Sequence, residues 1–257
     1  TEGTEDGKSE AVGEYLFWRD KGQLMSRDAL MALYRRALEE GLPFISFEDP
    51  FSENDKEGWR QFNQEFGDSV WVVGDDLVTT NDKVVESAID KGLMNALLVK
   101  ANQIGTLTET ISAMLVAIGL DVELIISHRS KKPNDDMEAH LALGTNAMGL
   151  KSGGGSNTER LVVYNSIAKL LREAAERRPQ TQAAAQESDP FFNQAVISKI
   201  TAIEEPTNAG IPTVGVTITL QVPGTNYHRE FTGAAPLGTS AGTGEAVHLV
   251  DNMIEKN

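Results

Sequence analysis

From Leu42 to about Arg178, a short apolar run and an amphipathic helical stretch alternate five times, and this alternation constrains the fold more than any other feature of the chain. The runs are Pro43-Phe44-Ile45-Ser46-Phe47, Val70-Trp71-Val72-Val73, Ala96-Leu97-Leu98-Val99, Val122-Glu123-Leu124-Ile125-Ile126 and the weaker Ala147-Met148-Gly149-Leu150. Each is followed by polar or charged residues, and runs of this length bounded by helical segments read as parallel strands. A helix from Ser26 to Glu40 precedes the first run. Asn81-Asp82 opens a helix bearing Val84, Val85 and Ile89, closed by Gly92. Thr106 and Glu109 form a capping box before Ile111, Met114, Leu115 and Ile118, and Asn157 to Arg160 open a longer helix through Leu161, Tyr164, Ile167, Leu170 and Leu171.

A closed barrel and a doubly wound sheet both satisfy such alternation. No Gly-rich dinucleotide turn follows the first strand, and every strand ends in polar groups suited to chemistry. In a (β/α) barrel all strand C-termini open on one face. The expected fold is therefore α/β, with a (β/α) barrel portion over residues 1–178. Residues 179–190 are polar and of low complexity, which reads as a linker. In residues 191–257 the period changes to two, with strands expected at Ala195–Glu204, Pro212–Val222 and Tyr227–Phe231, then a Gly-rich loop from Gly233 to Gly244 and a helix start. This is a small antiparallel α+β segment.

A net charge of −15 over 257 residues repels phosphate backbones, so nucleic acid is excluded as a partner, and a small phosphorylated substrate would need a local cationic cluster or metal ions. No apolar run reaches the length of a membrane span, and no signal peptide opens the chain. The absence of cysteine excludes disulfides, thiolate metal sites and a cysteine nucleophile, and is compatible with a reducing, cytoplasmic setting. The chain opens at Thr1, so a processed or partial polypeptide is expected.

The strand ends carry the candidate chemistry. Glu48 and Asp75 follow neighbouring strands and could share a hard divalent cation through oxygen, although both also suit turns and caps. Lys100 leaves a buried strand, where desolvation disfavours an ammonium, as a general base requires; a lysine snorkelling to the rim is the alternative. His128-Arg129-Ser130 offers an oxyanion grip or an ordinary polar cluster, and Lys151 before Ser152-Gly153-Gly154-Gly155 a phosphate or carboxylate site or merely a turn. Gathered at one mouth, they suit proton abstraction α to a carboxylate.

Ser46-Phe47-Glu48-Asp49-Pro50-Phe51, Val73-Gly74-Asp75-Asp76-Leu77, Lys100-Ala101-Asn102-Gln103-Ile104-Gly105, Ser127-His128-Arg129-Ser130, Lys151-Ser152-Gly153 and Glu159-Arg160-Leu161 with Tyr164-Asn165 closely resemble the strand ends of enolases, in family order. The resemblance runs from about Gly13 to Arg178. It implies dehydration of 2-phosphoglycerate to phosphoenolpyruvate with Mg²⁺, in which a lysine or histidine base works beside one or two metal ions. It implies Lys100 as base, Lys151 and His128 as substrate-site groups, Arg129 and Ser130 as phosphate ligands, and Glu48 and Asp75 as metal ligands, Glu48 also facing substrate. Glu5, within Glu5-Asp6-Gly7-Lys8-Ser9-Glu10, would stand for the family's third metal carboxylate. Lys131-Lys132-Pro133 replaces the family's Gly-Glu-Thr after Ser130, and the general-acid glutamates belong to barrel strands upstream of this stretch.

The tail resembles the family's amino-terminal domain, in reversed order: Ile200-Thr201-Ala202-Ile203, Gly210-Ile211-Pro212-Thr213-Val214 and Pro236 to Asp251, with Ser240 at the loop's metal-binding serine. The family's Asp-Ser-Arg-Gly turn here reads Thr207-Asn208-Ala209-Gly210, and Gly244 stands where a histidine is expected. Tandem or permuted units follow from this order, with a homodimer or an intrachain pseudo-dimer as the expected assembly. An enolase-like pseudoenzyme serving a larger assembly is the rival from another class.

Overall fold

The computed structural model describes residues 12–17, 23–129, 133–177, 191, 194–207, 209–235 and 244–246. They pack as two compact units: residues 1–125 with 241–246, and residues 126–240 with 247–257.

The first unit opens with an antiparallel hairpin of β1 (Glu14–Phe17) and β2 (Gln23–Ser26), which the sequence reading did not anticipate. Helix α1 (Arg27–Glu39) follows, its first turn capped by the Ser26 hydroxyl, which accepts from the Ala29 amide at 3.3 Å. Strand β3 (Ser46–Glu48) leads to α2 (Lys56–Phe66), β4 (Trp71–Gly74) to α3 (Asp82–Asp90), and β5 (Ala96–Val99) to a short α4 (Ala101–Ile104) and then α5 (Leu107–Gly119). The caps are those read from sequence. Asn81 accepts from the Lys83 and Val84 amides, and Thr106 Oγ1 accepts from the Glu109 amide at 3.1 Å while donating to its carboxylate at 2.6 Å.

The chain continues through β6 (Glu123–Ser127), α6 (Met137–Gly144), β7 (Gly149–Lys151) and α7 (Thr158–Arg177). The five strands β3 to β7 lie in one sheet in strict chain order, and β3/β4 and β4/β5 pair in parallel. A doubly wound sheet reverses its order at a switch point. This one never does, so it is a run of barrel strands. Strand β5 is buried on both faces, with Ala96, Leu97 and Leu98 fully covered and Val99 1% exposed, as a strand packed between barrel interior and helices must be. Val73, Ala96 and Leu98 form a core cluster against Trp71 and Ile125. Tyr34, Phe47, Phe51 and Phe62 interlock edge-to-face beside it, with Trp59 fully buried.

The carboxy-terminal strands β8 (Val196–Pro206), β9 (Pro212–Gln221) and β10 (His228–Ala234) form a separate antiparallel sheet in the order β10-β9-β8. The period-two reading of this segment therefore holds, with each strand's ends moved by a few residues. The expected linker at 179–190 lies outside the described residues. Among the described residues no helix is long and apolar enough to cross a membrane.

Candidate active site

In the first unit, the ends of β3, β4 and β5 hold a compact group of carboxylates beside one lysine. Asp49 follows β3 with φ of 43°, and its amide donates to the Val73 carbonyl at 3.0 Å, which carries the strand pairing one residue further. Its carboxylate then accepts from the Asp75 amide at 3.0 Å and the Asp76 amide at 2.9 Å, so it braces the turn after β4. Asp49, Asp75 and Asp76 each present an oxygen within 4.8 Å of the others. Burial pushes the Asp49 carboxyl up to about 6, opposed by its two amide donors and reinforced by the charges of Asp75 and Asp76. Burial, and then the Asp75 charge, also push Asp76 upward.

Lys100 ion-pairs through Nζ with Asp75 Oδ2, the two side chains being 15% and 9% exposed. Asp75 Oδ1 accepts from Gln103 Nε2 at 2.9 Å. The sequence-predicted Asp75 and Lys100 are thus in direct contact. Glu48 ends β3 as an exposed residue and is not a member of the close carboxylate group. Asp49 and Asp76, which do belong to it, escaped the sequence reading because Asp-Pro and Gly-Asp-Asp are equally good turn signals. A hard divalent cation fits this donor set: the ligands are carboxylate oxygens, and a cation would offset the burial and the mutual repulsion that raise Asp49 and Asp76.

Residues 244–246 pack within the same unit. The Ala246 amide donates to the Gln103 carbonyl at 2.6 Å. A Cβ at Gly244 would come within 2.5 Å of Thr79 Oγ1, which gives a physical reason for glycine where the resemblance expects histidine.

In the second unit, the Lys151 carbonyl accepts from the His128 amide at 3.0 Å and lies 2.7 Å from His128 Nδ1, so the ends of β6 and β7 are tied through the imidazole. Arg129 is 5% exposed, whereas Lys151 is exposed. Gly153, at φ of 74°, lies so close to the Arg160 guanidinium that a Cβ would meet Nη1 at 1.8 Å, and its carbonyl accepts from the Tyr164 hydroxyl. The β7–α7 loop is therefore held by two residues of α7 that the sequence motif contained. Ser130, Glu5 and Ser240 lie outside the described residues.

The profile of the enolase C-terminal TIM barrel domain matches residues 13–187. The chain belongs to the enolase family. It is 42% identical over 153 residues to the enolase of Ehrlichia ruminantium (strain Gardel), a match covering 58% of this chain and 36% of that protein. The enolase of Ehrlichia chaffeensis (strain Arkansas) is likewise 42% identical, over 150 residues, with 57% of this chain and 35% of that protein covered. The chain therefore spans about a third of the length of these relatives. The family match begins at Gly13, in the residue leading into the β1–β2 hairpin, and runs past α7.

Proposed function

We propose that this chain is the base-bearing portion of an enolase that dehydrates 2-phosphoglycerate to phosphoenolpyruvate. The observation that supports the reading best is the Lys100 ammonium seated on Asp75 at the ends of adjacent strands, with Asp49 and Asp76 beside it. Lys100 takes the proton from the carbon next to the substrate carboxylate. The electron pair left behind forms the new carbon–carbon double bond, and hydroxide departs from the neighbouring carbon, leaving as water once a general acid protonates it. That acid belongs, by resemblance, to barrel strands upstream of this stretch. Asp75, with Asp49 and Asp76 beside it and Glu48 as the further ligand that the resemblance implies, would hold Mg²⁺, which would supply positive charge to the substrate carboxylate. Arg129 and Ser130 bind the phosphate, His128 and Lys151 line the substrate site, and Glu5 and Ser240 are the remaining candidate ligands.

In the same reading, residues 1–178 are the barrel portion, 179–190 a linker, and 191–257 a divergent copy of the family's amino-terminal sheet. The complete protein is cytoplasmic and works as a homodimer, or as an intrachain pseudo-dimer if the units are tandem. A pseudoenzyme serving only as an interaction module predicts erosion of the base and its carboxylate partner, and the Lys100–Asp75 pair is intact. Lys100→Ala in the complete protein is the decisive test, followed by the absorbance of phosphoenolpyruvate. Turnover falls by several orders of magnitude if Lys100 is the base. Near-normal turnover in a folded variant refutes the assignment.

A further inference from the structure

We infer that Gln103 and Thr80 are positioning residues that orient Asp75 and thereby set the affinity of the carboxylate group for a divalent cation. The inference rests on the reading of Asp75 as a cation ligand and adds residues that neither the sequence motifs nor the proposed mechanism assigns a role. Both side chains are fully buried. They close a ring of hydrogen bonds: the Lys100 amide donates to Thr80 Oγ1 at 3.1 Å, the Thr80 hydroxyl donates to Gln103 Oε1 at 2.8 Å, and Gln103 Nε2 donates to Asp75 Oδ1 at 2.9 Å. The Lys100 ammonium on Asp75 Oδ2 completes the circuit.

Each oxygen of Asp75 therefore has a fixed partner, so the carboxylate plane is set before any ligand arrives. The hydroxyl direction is set as well. The ion-paired Asp75 carboxylate only accepts, so Gln103 presents Nε2 to it and Oε1 to Thr80, and the Thr80 proton goes to that oxygen while Oγ1 accepts from the Lys100 amide. Burying a primary amide is unfavourable unless both ends are satisfied, and an apolar side chain of similar volume would fill the space without that demand. Thr80 also holds φ of 56°, and Thr79 before it 47°, in a region that β-branched residues rarely enter. That backbone bend places the Thr80 hydroxyl between the Lys100 amide and Gln103. Strain concentrated on the side chain that orients the ring is what a positioning role predicts.

Outer residues that orient ligating carboxylates typically change metal affinity by roughly 10- to 100-fold when replaced. The test is titration of the 257-residue chain with Mn²⁺ alone, followed by electron paramagnetic resonance of the free ion. Far-ultraviolet circular dichroism and a urea midpoint establish that each variant folds. Gln103→Met and Thr80→Val should each weaken Mn²⁺ binding by roughly tenfold or more, whereas Thr80→Ser, which keeps the hydroxyl, should stay within about twofold of the unsubstituted chain. The double variant should bind no more weakly than Gln103→Met, because the two residues act in series. If the methionine variant does not fold, Gln103→Asn, one methylene too short to span Thr80 and Asp75, takes its place with the same expectation. Unchanged affinity in a folded Gln103 variant overturns the inference, as does a Thr80→Ser protein as weak as Thr80→Val. Asp75→Asn separates the two levels. If it abolishes Mn²⁺ binding while the Gln103 variants do not weaken it, the positioning role fails and the cation reading stands; if Asp75→Asn binds normally, or the unsubstituted chain binds no Mn²⁺, both fail.

Discussion

Replacing Asp55 should loosen the barrel at the loop that carries Asp49. Asp55 is fully buried, and its carboxylate accepts from the Tyr15 hydroxyl at 2.7 Å, from Arg27 Nε at 2.8 and 3.0 Å, and from the Gly58 amide at 3.1 Å as the N-cap of α2. One side chain thus joins the β1–β2 hairpin, α1 and α2. The loop before it is fastened by Tyr34 donating to the Pro50 carbonyl at 2.7 Å and Trp59 Nε1 donating to the Ser52 carbonyl at 3.1 Å. Losing the cap costs about 1 kcal/mol. Stranding the partner of a buried ion pair costs about 3–5 kcal/mol, reduced here because a quarter of the Arg27 side chain reaches solvent. Asp55→Ala should therefore lose about 3–4 kcal/mol in all, Asp55→Asn, which keeps the cap, about 2 kcal/mol, and Tyr15→Phe about 1 kcal/mol. Urea unfolding at neutral pH measures each as a midpoint shift at constant slope. Burial pushes the Asp55 carboxyl up, but Arg27, Tyr15 and the Gly58 amide outweigh it and hold its pKa below the ordinary 3.8. Its contribution is accordingly present above pH 3.8 and lost as pH falls through the lower folded-state value, so the acid limb of stability should flatten in Asp55→Ala. A loss below about 1 kcal/mol, the size of a surface ion pair, would refute the hub argument.

Asp49 should show the opposite pH dependence. Its folded-state value of about 6 lies above the ordinary 3.8, so its contribution is greatest below pH 3.8 and is lost as pH rises through 6. Comparing the cation-free protein with Asp49→Asn at pH 4.5 and 7.5, the stability difference should move by about 2–3 kcal/mol toward the variant at the higher pH; a constant difference would contradict burial as the cause. Leu98→Ala, at a fully buried position in the Val73–Ala96–Leu98 cluster, should cost about 2–5 kcal/mol in urea unfolding, and a cost under 1 kcal/mol would place the core elsewhere.

The barrel strands were legible because each is a run of apolar residues too short to be a helix, and because Asn81 and the Thr106–Glu109 box announce the helices between them. The alternation placed a helix after the first run without naming its residues: Trp59, Phe62 and Phe66 of α2 are separated by charged and amide side chains, and Gly58 sits in its first turn. The β1–β2 hairpin escaped notice because each strand has only four residues and leaves an apolar side chain exposed, Leu16 in one and Leu24 in the other. At the site, Asp75 and Lys100 stood out because each directly follows a buried strand. Thr80 and Gln103 did not, because their roles depend on partners 20 to 28 residues away that only the packing of adjacent strand ends brings within reach.

Charge is unevenly distributed along the barrel, although the chain as a whole carries a net charge of −15. The strand ends of the first unit gather Asp49, Asp75 and Asp76 beside the Lys100 ammonium, and burial, followed by the neighbouring carboxylate charges, pushes Asp49 and Asp76 upward. Such a group repels a phosphate and attracts a cation. The strand ends of the second unit are richer in cationic side chains: His128 and Arg129 follow β6, Lys151 ends β7, and Arg160 lies in the first turn of α7 against Gly153, ion-paired with Glu159. An anion is favoured beside these groups, with the α7 amino-terminal dipole adding to the attraction. Local sign is therefore set by which strand end a residue occupies, and the net charge decides only the long-range field around them.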